Sequence, residues 1–244
     1  MDNQKVILDL CRQLRLGTYM SEVYKTIEAD TNEVFLIKLL RIVAEERDVE
    51  RRNRYLRQAE FDVIKTFENY SFDNIQLPEG LSVEMLKDCQ FLKDKQNLIL
   101  YGRPGTGKTH LATALGVEAC KQGKSVMYNK TSRLVNVLVE AKAENKLDKL
   151  WERLRKASLV ILDEWGYIPF ERIGTQLLFE FISECYEQRS IILTTNLPFI
   201  DWDTIFYDER LTNAILELVH HGYLLLHNGP SFRLTNSTMR QAGV

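Results

Sequence analysis

The strongest constraint on the fold of this chain is the segment Gly102–Thr109, which joins a short apolar run to a helical pattern. It reads Gly-Arg-Pro-Gly-Thr-Gly-Lys-Thr, with the spacing G-x-x-x-x-G-K-T. Its glycines allow backbone N–H groups to turn toward phosphate oxygens, where a Cβ atom would obstruct them. A helix that begins near Gly107 points its positive end at the same anion. The segment therefore predicts a phosphate-binding loop between a strand and a helix.

The residue types in this loop predict specific contacts with ATP and Mg²⁺. Lys108 is expected to bring a mobile cation to the β- and γ-phosphates, and Thr109 to offer its hydroxyl to Mg²⁺. A glycine-rich turn that matches by chance is the alternative, and the flanking strand and helix patterns disfavour it. The candidate nucleotide-binding residues of the loop are Gly102, Arg103, Pro104, Gly105, Thr106, Gly107, Lys108 and Thr109.

Polar residues follow two further apolar runs. Leu159–Leu162 is followed by Asp163 and Glu164. We expect Asp163 to hold Mg²⁺ through water and Glu164 to polarise the attacking water. Ile191–Thr195 ends in Asn196, whose side chain would reach the γ-phosphate or the attacking water. Acidic and Thr-Asn residues also end strands in proteins that bind no nucleotide, so both signals depend on the upstream loop.

From residue 82 onward, short apolar runs alternate with helical patterns. This alternation predicts an α/β fold in which a parallel sheet is flanked by helices on both faces. The last part of the chain predicts a helix at about 208–221 and then a hairpin around the turn Asn228-Gly229. The predicted strands are Asn97–Tyr101, Ser125–Asn129, Leu159–Asp163 and Ile191–Thr195, and the hairpin strands are Tyr223–His227 and Ser231–Thr235.

The first seventy or so residues contain one glycine, Gly17, and no proline. Their apolar stripe predicts a small all-helical N-terminal domain over residues 1–68, which we expect to contact a partner, DNA or both. Residues 69–81 have little periodicity and predict a linker, and residues 82–244 form the larger α/β domain. The charged run Glu45–Arg57 fits either a solvated helix with i,i+4 ion pairs or a basic face that touches phosphate.

Composition excludes several classes of protein. The apolar runs are far shorter than the ~18 residues of a membrane span, and the N-terminus shows no apolar signal segment, so we expect a cytoplasmic protein without membrane contact. The 32 basic and 34 acidic residues exclude a simple polycation. The cysteines form no C-x-x-C pair and are expected to be reduced thiols rather than disulfides or zinc ligands. They are Cys11, Cys89, Cys120 and Cys185.

Taken together, Gly102–Thr109, Asp163-Glu164 and Thr194-Thr195-Asn196 resemble the AAA+ ATPases of the DnaA/DnaC initiator and helicase-loader group. The chain is more similar still to the IstB-like AAA+ ATPases, the helper proteins of insertion-sequence transposition. The segments that carry this closer resemblance are Leu14-Arg15-Leu16, Arg51–Phe61, Asp163–Pro169, Ser190–Pro198, Trp202, Ala214–His221 and Gly229–Leu234. Within the last of them, Arg233 is a further candidate nucleotide contact.

The resemblance implies an AAA+ P-loop fold and ATP-dependent assembly of a homo-oligomer on duplex DNA. It also implies remodelling of that DNA and recruitment or activation of a cognate transposase. Two helices at about residues 131–156 would face the DNA. Catalysis would be carried by Glu164, Lys108, Asn196 and an arginine, with Mg²⁺ held at Thr109 and Asp163.

The charge distribution supports a DNA-facing surface independently of the resemblance. Lys121–Lys156 holds ten basic and four acidic residues, whereas Ala157–Thr212 holds three basic and ten acidic ones. Such segregation suits a largely sequence-independent phosphate-binding surface, although a merely solvated helix face would show it too. The candidate DNA-binding residues are Lys130, Arg133, Lys142, Lys146, Lys149 and Arg153.

One departure from the family pattern concerns the arginine that reaches a neighbouring subunit's γ-phosphate. The family has an acidic-Arg-Leu triplet before its paired histidines, where this chain reads Leu216-Glu217-Leu218-Val219-His220-His221. Arg210, earlier in the same helix, is the candidate substitute, with Arg189 and Arg233 as alternatives. Because loss of a trans-acting arginine slows hydrolysis, we expect a slow ATPase that assembly or DNA stimulates. Cys185 is a second departure, at a position where the family commonly has arginine.

Three other functions stay open at this point. A replicative helicase loader of the DnaC type would have nearly the same ATPase core, with an N-terminal domain that grips a helicase. A small-molecule kinase would use the same loop, but the paired Asp163-Glu164 favours water as the acceptor. A structural DNA-bending protein with a vestigial ATPase gains support from the missing arginine.

Overall fold

A computed structural model describes residues 3–17, 19–166, 170–206 and 209–235 of the chain. Its strands are β1 (Ile75–Gln76), β2 (Asn97–Gly102), β3 (Val126–Lys130), β4 (Leu159–Trp165), β5 (Ser190–Thr195) and β6 (Gly222–His227). They form one six-stranded sheet in the order β1-β6-β2-β5-β4-β3. Neighbouring strands are parallel except at one edge, where β1 runs antiparallel to β6.

Helices connect the parallel strands, as the crossover connections of a parallel sheet require. The first group is α1 (Asn3–Gln13), α2 (Met20–Val23), α3 (Asn32–Gln58) and α4 (Val83–Lys87). The crossover helices are α5 (Lys108–Lys121), α6 (Thr131–Ala143), α7 (Leu147–Leu154) and α8 (Arg172–Cys185). The last group is α9 (Asp203–Phe206), α10 (Glu209–Val219) and α11 (Phe232–Thr235). The α/β prediction, with a parallel sheet between helices and a helical N-terminal region, is therefore confirmed.

The sheet is covered on both faces because successive strand residues point to opposite sides. In β2, Leu98 and Leu100 join a core cluster with α4 and α5, whereas Ile99 joins the cluster formed with α6, α7, α8 and α10. Leu159 and Ile161 of β4 follow the first pattern in the same way. This two-sided burial explains why the central strands are continuous apolar runs rather than alternating ones.

The chain divides into two compact units, Met1–Arg54 and Tyr55–Val244. In the first unit, α1, α2 and most of α3 contribute the buried side chains of Cys11, Ser21, Leu39 and Val43. The charged run 45–57 lies within α3, where an Arg51–Asp48 pair at 3.0 Å is about half exposed. Such an exposed pair contributes at most about 1 kcal/mol.

The segment predicted to be a linker, residues 69–81, belongs to the second compact unit. Its aromatic and apolar side chains, including Tyr70, Phe72, Ile75 and Leu77, pack against the core cluster beside α5. β1 lies within this segment and pairs with β6. These residues lack helical or strand periodicity because they cover the core as irregular chain, so their burial could not be seen from the sequence pattern.

The hairpin predicted for the end of the chain is wrong. β6 pairs in parallel with β2 and antiparallel with β1, and the residues that follow it form the short helix α11 instead of a second strand. The backbone N–H of Asn228 donates to Asn74 O at 2.9 Å, which extends the pairing of β1 with β6 beyond the end of β6. β1, which is distant in sequence, occupies the position beside β6 that the second strand of a hairpin would need.

Two further features of the fold concern chain chemistry. The four cysteines are free thiols, and each of them is buried. Burial raises the pKa of Cys89, Cys120 and Cys185 to about 12 each. Among the helices of the described ranges, none is long and apolar enough to cross a lipid bilayer.

Candidate functional site

The loop Gly102–Thr109 follows β2 and ends in the first turn of α5, as predicted. Gly105 and Gly107 have φ values of +81° and +91°, which side chains with a Cβ atom rarely adopt. Gly102 meets a different constraint, because a Cβ there would lie 2.4 Å from the backbone oxygen of His227 in β6. The glycines therefore serve both the loop conformation and the close approach of a neighbouring strand.

Lys108 is held inside the loop by the loop's own carbonyl groups. Its Nζ atom donates to Gly102 O at 2.6 Å and to Arg103 O at 2.8 Å. Burial lowers the pKa of Lys108 to about 8, an effect that Asp163 opposes and Arg233 reinforces. The ammonium is thus partly desolvated before any anion arrives, which strengthens its attraction for phosphate.

Asp163 lies at the carboxyl end of β4 and is the most densely hydrogen-bonded carboxylate of the site. Its Oδ1 atom accepts from Thr109 Oγ1 at 2.9 Å and from the hydroxyl of Thr194 in β5. Its Oδ2 atom accepts from the hydroxyl of Tyr128 in β3 at 2.8 Å. The side chain of Thr131 binds the Asp163 main-chain oxygen at 2.9 Å. The residue is only 1% exposed.

A β-bulge in β4 sets the direction of the Glu164 side chain. Leu162 pairs with Leu193 and Trp165 with Thr195, so two residues of β4 oppose one residue of β5. Glu164 has φ +57°, and its N–H donates to Thr194 Oγ1 at 3.1 Å. A bulge of this kind redirects a side chain that the regular pleat would send to the opposite face. A non-glycine residue in this strained conformation is typical of functional sites.

Lys130, predicted as a DNA contact, lies beside Glu164. Its Nζ atom is 3.1 Å from Glu164 Oε2, and Asp62 Oδ2 is 4.0 Å away. The hydrogen bond to Glu164, the largest cause, and the nearby carboxylates raise the pKa of Lys130. The register of the sheet explains the meeting, because Lys130 in β3 pairs with Asp163 in β4.

The segment after β6 packs against the phosphate loop. The N–H of Phe232 donates to Gly105 O at 2.9 Å, and a Cβ on Gly105 would lie 2.1 Å from Ser231 Oγ. Arg233, in α11, is exposed and close enough to help lower the pKa of Lys108. The structure therefore brings the predicted nucleotide contact Arg233 to the loop.

His227 is buried where β6 meets the loop. Its Nδ1 atom lies 3.3 Å from Thr106 O, and Nε2 has no hydrogen-bond partner among the residues that the structure describes. Burial is the main cause that lowers the pKa of His227 to about 4, so the ring is neutral at physiological pH.

Tyr70 covers the start of α5 from the other side. Its hydroxyl donates to Gly107 O at 3.3 Å, and its ring lies 4.9 Å from the His110 ring. His110 Nε2 is 2.8 Å from Thr66 O. Desolvation raises the pKa of Tyr70, which keeps the phenol protonated. The irregular chain before β1 is thus part of the wall around the loop.

The remaining predicted site residues lie farther along the chain. Asn196 directly follows β5 and is exposed at the carboxyl edge of the sheet. Arg210 is exposed in the first turn of α10. Arg189 is unsuited to the role of a trans-acting arginine, because it is 8% exposed, precedes β5 at the opposite edge and donates to Leu154 O at 2.7 Å.

The six candidate DNA-binding residues fall into two groups. Three of them form ion pairs: Lys130 with Glu164, Lys146 with Glu144 at 2.6 Å, and Arg153 with Glu60 at 3.0 Å. The other three, Arg133, Lys142 and Lys149, are exposed and form no ion pair with any residue that the structure describes. Arg133 and Lys142 lie on α6 and Lys149 on α7.

Sequence reasoning missed Tyr128 and the part that Thr194 plays. Thr194 joins the two candidate carboxylates, because its hydroxyl donates to Asp163 and accepts from the Glu164 N–H. Its neighbours Thr195-Asn196 drew attention to this strand end, but they did not show which threonine faces β4. Tyr128 carries no local signal, since only the pairing of β3 with β4 places it next to Asp163.

These residues fit ATP with a divalent cation. The loop glycines allow a backbone conformation and close contacts with β6, Ser231 and Tyr70 that Cβ atoms would prevent, and the partly desolvated Lys108 lies within the loop. The buried oxygens of Asp163, next to the Thr109 hydroxyl, are the hard donors that Mg²⁺ prefers. The candidate site therefore combines a phosphate cradle, a cation site and an ordered carboxylate.

Comparison with known proteins gives the same picture. A family model described as an IstB-like ATP binding protein matches residues 12–240. A relative from Pseudomonas aeruginosa, described as an insertion sequence IS21 putative ATP-binding protein, is 41% identical over 190 residues. That alignment covers 78% of this chain and 71% of the relative.

Solved structures share the fold at lower identity. A crystal structure of the DnaC helicase loader matches with a TM-score of 0.53 and 21% identity, over 71% of this chain and 98% of the loader chain. The replication initiator DnaA, bound to AMPPCP and single-stranded DNA, matches with a TM-score of 0.52 and 23% identity over 66% of this chain. The chain spans about half the length of that DnaA chain, with 49% of it covered.

Proposed function

Because the chain belongs to the family of IstB-like ATP-binding proteins, we propose that it is an AAA+ ATPase that assists the transposition of an insertion sequence. The observation that carries the enzymatic part is the arrangement of Lys108, Thr109, Asp163 and Glu164 at one edge of the sheet. The insertion-sequence part rests on the family and on the Pseudomonas aeruginosa relative.

The chain's own residues divide the work of hydrolysis. The loop amides and Lys108 bind and orient the phosphates, and Thr109 and Asp163 would hold Mg²⁺. Bound Mg²⁺ supplies neutralising charge to the phosphate oxygens. Glu164 orients the attacking water and accepts its hydrogen bond, and we assign contact with the γ-phosphate or with this water to Asn196, which is exposed after β5 at the same edge of the sheet.

Full turnover in this proposal requires assembly of the chain into a homo-oligomer. A transition state of phosphoryl transfer gains much of its stabilisation from an arginine supplied by a neighbour. Arg210 is exposed at the start of α10 and is the residue that we assign to this role. The isolated chain is then a slow ATPase, and contact between subunits raises its rate.

The proposed DNA surface consists of the exposed cations on α6 and α7. Arg133, Lys142 and Lys149 are the strongest candidates, because binding a phosphate would not require any of them to leave an ion pair that the structure describes. Contacts of this type bind duplex DNA with little sequence preference and weaken steeply as salt rises.

Phosphate release in the presence of ATP and Mg²⁺, with and without duplex DNA, tests the proposal. We expect duplex DNA to raise turnover at low salt and Glu164→Gln to abolish turnover while ATP binding persists. Glu79→Gln, which changes an exposed carboxylate before α4, is the matched control. An absence of duplex binding at low salt with ATP and Mg²⁺ would refute the DNA part, and unchanged turnover in Glu164→Gln would refute the site.

The partner is best tested by direct capture. We expect the chain, loaded with ATP on duplex DNA, to retain the transposase encoded with the same insertion sequence and not a hexameric replicative helicase. The opposite result would favour the helicase-loader alternative, whose ATPase fold is shared by the DnaC structure.

A further inference from the structure

Tyr128 is the one tyrosine hydroxyl that reaches the candidate magnesium carboxylate among the residues that the structure describes. It lies in β3 opposite Ile161, and its side chain extends two positions along β4 to Asp163. Its hydroxyl donates to Asp163 Oδ2 at 2.8 Å. Both residues are buried, with 4% and 1% of their surfaces exposed.

The two oxygens of Asp163 have different partners. Oδ1 accepts from the hydroxyls of Thr109, at the end of the phosphate loop, and of Thr194, in β5. Oδ2 accepts from Tyr128, on the opposite side. A carboxylate on two single bonds can rotate, and hydrogen bonds on both oxygens restrict that rotation. The Tyr128 bond therefore acts together with the two hydrogen bonds on Oδ1 to fix which oxygen lies beside Thr109.

Tyr128 is itself held in place by the chain that follows α3. Its N–H donates to Ala59 O at 3.1 Å, and its ring lies 5.7 Å from the Phe61 ring. Phe61 can approach because α5 has Gly116 at this point, where a Cβ would lie 2.9 Å from the Phe61 ring. β3 is the last strand of the sheet, and this packing covers it at the position that supports Asp163.

We propose that Tyr128 is a positioning residue that orients Asp163 for Mg²⁺, so that loss of its hydroxyl weakens the cation site and spares the phosphate loop. The inference rests on the proposed ATPase function. Partners in the outer shell of a metal site commonly change metal affinity by about 10- to 100-fold when they are removed. The hydrogen bonds that the structure describes for the phosphate loop come from the loop itself, α5, Asp163, Tyr70, β6 and the segment after β6, and Tyr128 is not among these partners.

The test compares Tyr128→Phe with Tyr223→Phe, which removes a tyrosine hydroxyl from the same core cluster away from the site. A fluorescent ATP analogue is titrated with Mg²⁺, and its binding is also measured in EDTA. We expect the Mg²⁺ concentration at half-maximal binding of the analogue (the Mg²⁺ midpoint) to be about tenfold higher for Tyr128→Phe than for Tyr223→Phe. Binding of the analogue in EDTA and thermal stability should be close to those of Tyr223→Phe.

An unchanged Mg²⁺ midpoint would overturn the inference, and so would an equal loss of binding in Mg²⁺ and EDTA, which would indicate general damage. Action through Asp163 also requires that Tyr128→Phe adds nothing in an Asp163→Asn background, so an additive rise would overturn it as well. If the phenylalanine variant is unstable, Tyr128→Met fills the volume without a hydroxyl and is held to the same outcomes. Failure of the wild-type chain to bind the analogue would instead refute the proposed function.

Discussion

The ammonium group of Lys130 lies 3.1 Å from one carboxylate oxygen of Glu164 and 3.2 Å from the other. Lys130 ends β3, and the next residue begins α6, the first helix of the proposed DNA surface. The Lys130 side chain therefore connects the proposed catalytic carboxylate of Glu164 to the start of that surface. Both members of the pair are 42% exposed, so the ion pair contributes at most about 1 kcal/mol.

The first prediction concerns this ion pair. In Lys130→Gln, Glu164 loses its cationic partner, so its carboxylate no longer has to leave an ion pair to bind the attacking water. Turnover without DNA should therefore rise by up to about fivefold, the factor that corresponds to about 1 kcal/mol. Duplex affinity should change little, because Lys130 must leave Glu164 to reach a phosphate. Phosphate release and duplex titration measure the two effects, and Lys142→Gln should show the reverse pattern. A large loss of duplex affinity in Lys130→Gln would contradict this assignment.

The second prediction concerns the exposed cations of α6 and α7. Replacing Lys142 and Lys149 by glutamine should reduce the slope of log affinity against log salt by about 1.8, because each phosphate contact contributes about 0.9. The control is the pair Lys65→Gln and Lys93→Gln, which changes the net charge equally outside this surface. Equal slopes for the two double variants would exclude α6 and α7 as the DNA surface.

The third prediction is a pH dependence of ATP binding. Lys108 has a pKa of about 8 in the free protein, mainly because it is buried. Above that pH the Lys108 amine is mostly neutral in the free protein, so Lys108 must take up a proton when the anionic phosphate binds. Affinity should be constant below pH 8 and fall by up to about tenfold per pH unit above it. Titrations of a fluorescent ATP analogue from pH 7 to about 9.5 measure this, and Lys108→Arg, which stays protonated, should remove the dependence.

The fourth prediction separates backbone strain from crowding in the loop. Gly105 and Gly80 have the same φ of +81°, but a Cβ on Gly105 would lie 2.1 Å from Ser231 Oγ, whereas nothing lies within 4 Å at Gly80. Both alanine variants should lose about 1 to 2 kcal/mol of stability from the left-handed conformation. Only Gly105→Ala should also weaken ATP binding, by tenfold or more, because it displaces the segment after β6. Thermal unfolding and ATP-analogue titration give the two quantities, and equal ATP affinities would show that this segment does not shape the site.

The fifth prediction concerns catalysis between subunits. Arg210→Ala should lower the ATPase rate of the assembled protein by about a hundredfold or more, while the monomer still binds ATP, because a trans-acting arginine stabilises only the transition state. Arg172→Ala, at the exposed start of α8, is the control. Rates measured over a range of protein concentrations distinguish the two states. A rate equal to that of the control would require another residue for this role.

Local patterns predicted the local structure of most of the candidate nucleotide site. The glycine spacing, the strand before it and the helix after it lie within one stretch of chain, so their physical requirements are visible as a motif. The strand limits were close for the same reason, because a strand that is buried on both faces is a continuous apolar run. The predicted Ser125–Asn129, for example, is Val126–Lys130 in the structure.

The wrong hairpin prediction came from a contact between distant parts of the chain. Residues 231–235 have the polarity and the preceding turn of a hairpin strand, but β1, more than 140 residues earlier, occupies the neighbouring position beside β6. The pairing of β3 with β4 also places the ammonium of Lys130 at Glu164, a contact that the charge count could not show, and the role of Lys130 as a DNA contact stays a prediction. A count of charged residues carries no information about which residues of neighbouring strands lie opposite each other.

By itself, the sequence determined the phosphate loop, the parallel sheet and the two carboxylates at the end of β4, since short-range spacing and apolar runs encode them. Only the tertiary structure decided that Tyr128 supports Asp163, that Thr194 links Asp163 to Glu164, and that the segment after β6 closes on Gly105. The physical reason is that parallel strands are joined by long crossover connections. Residues that are neighbours across the sheet are therefore separated by 30 or more residues in the chain, as Tyr128 and Asp163 are by 35.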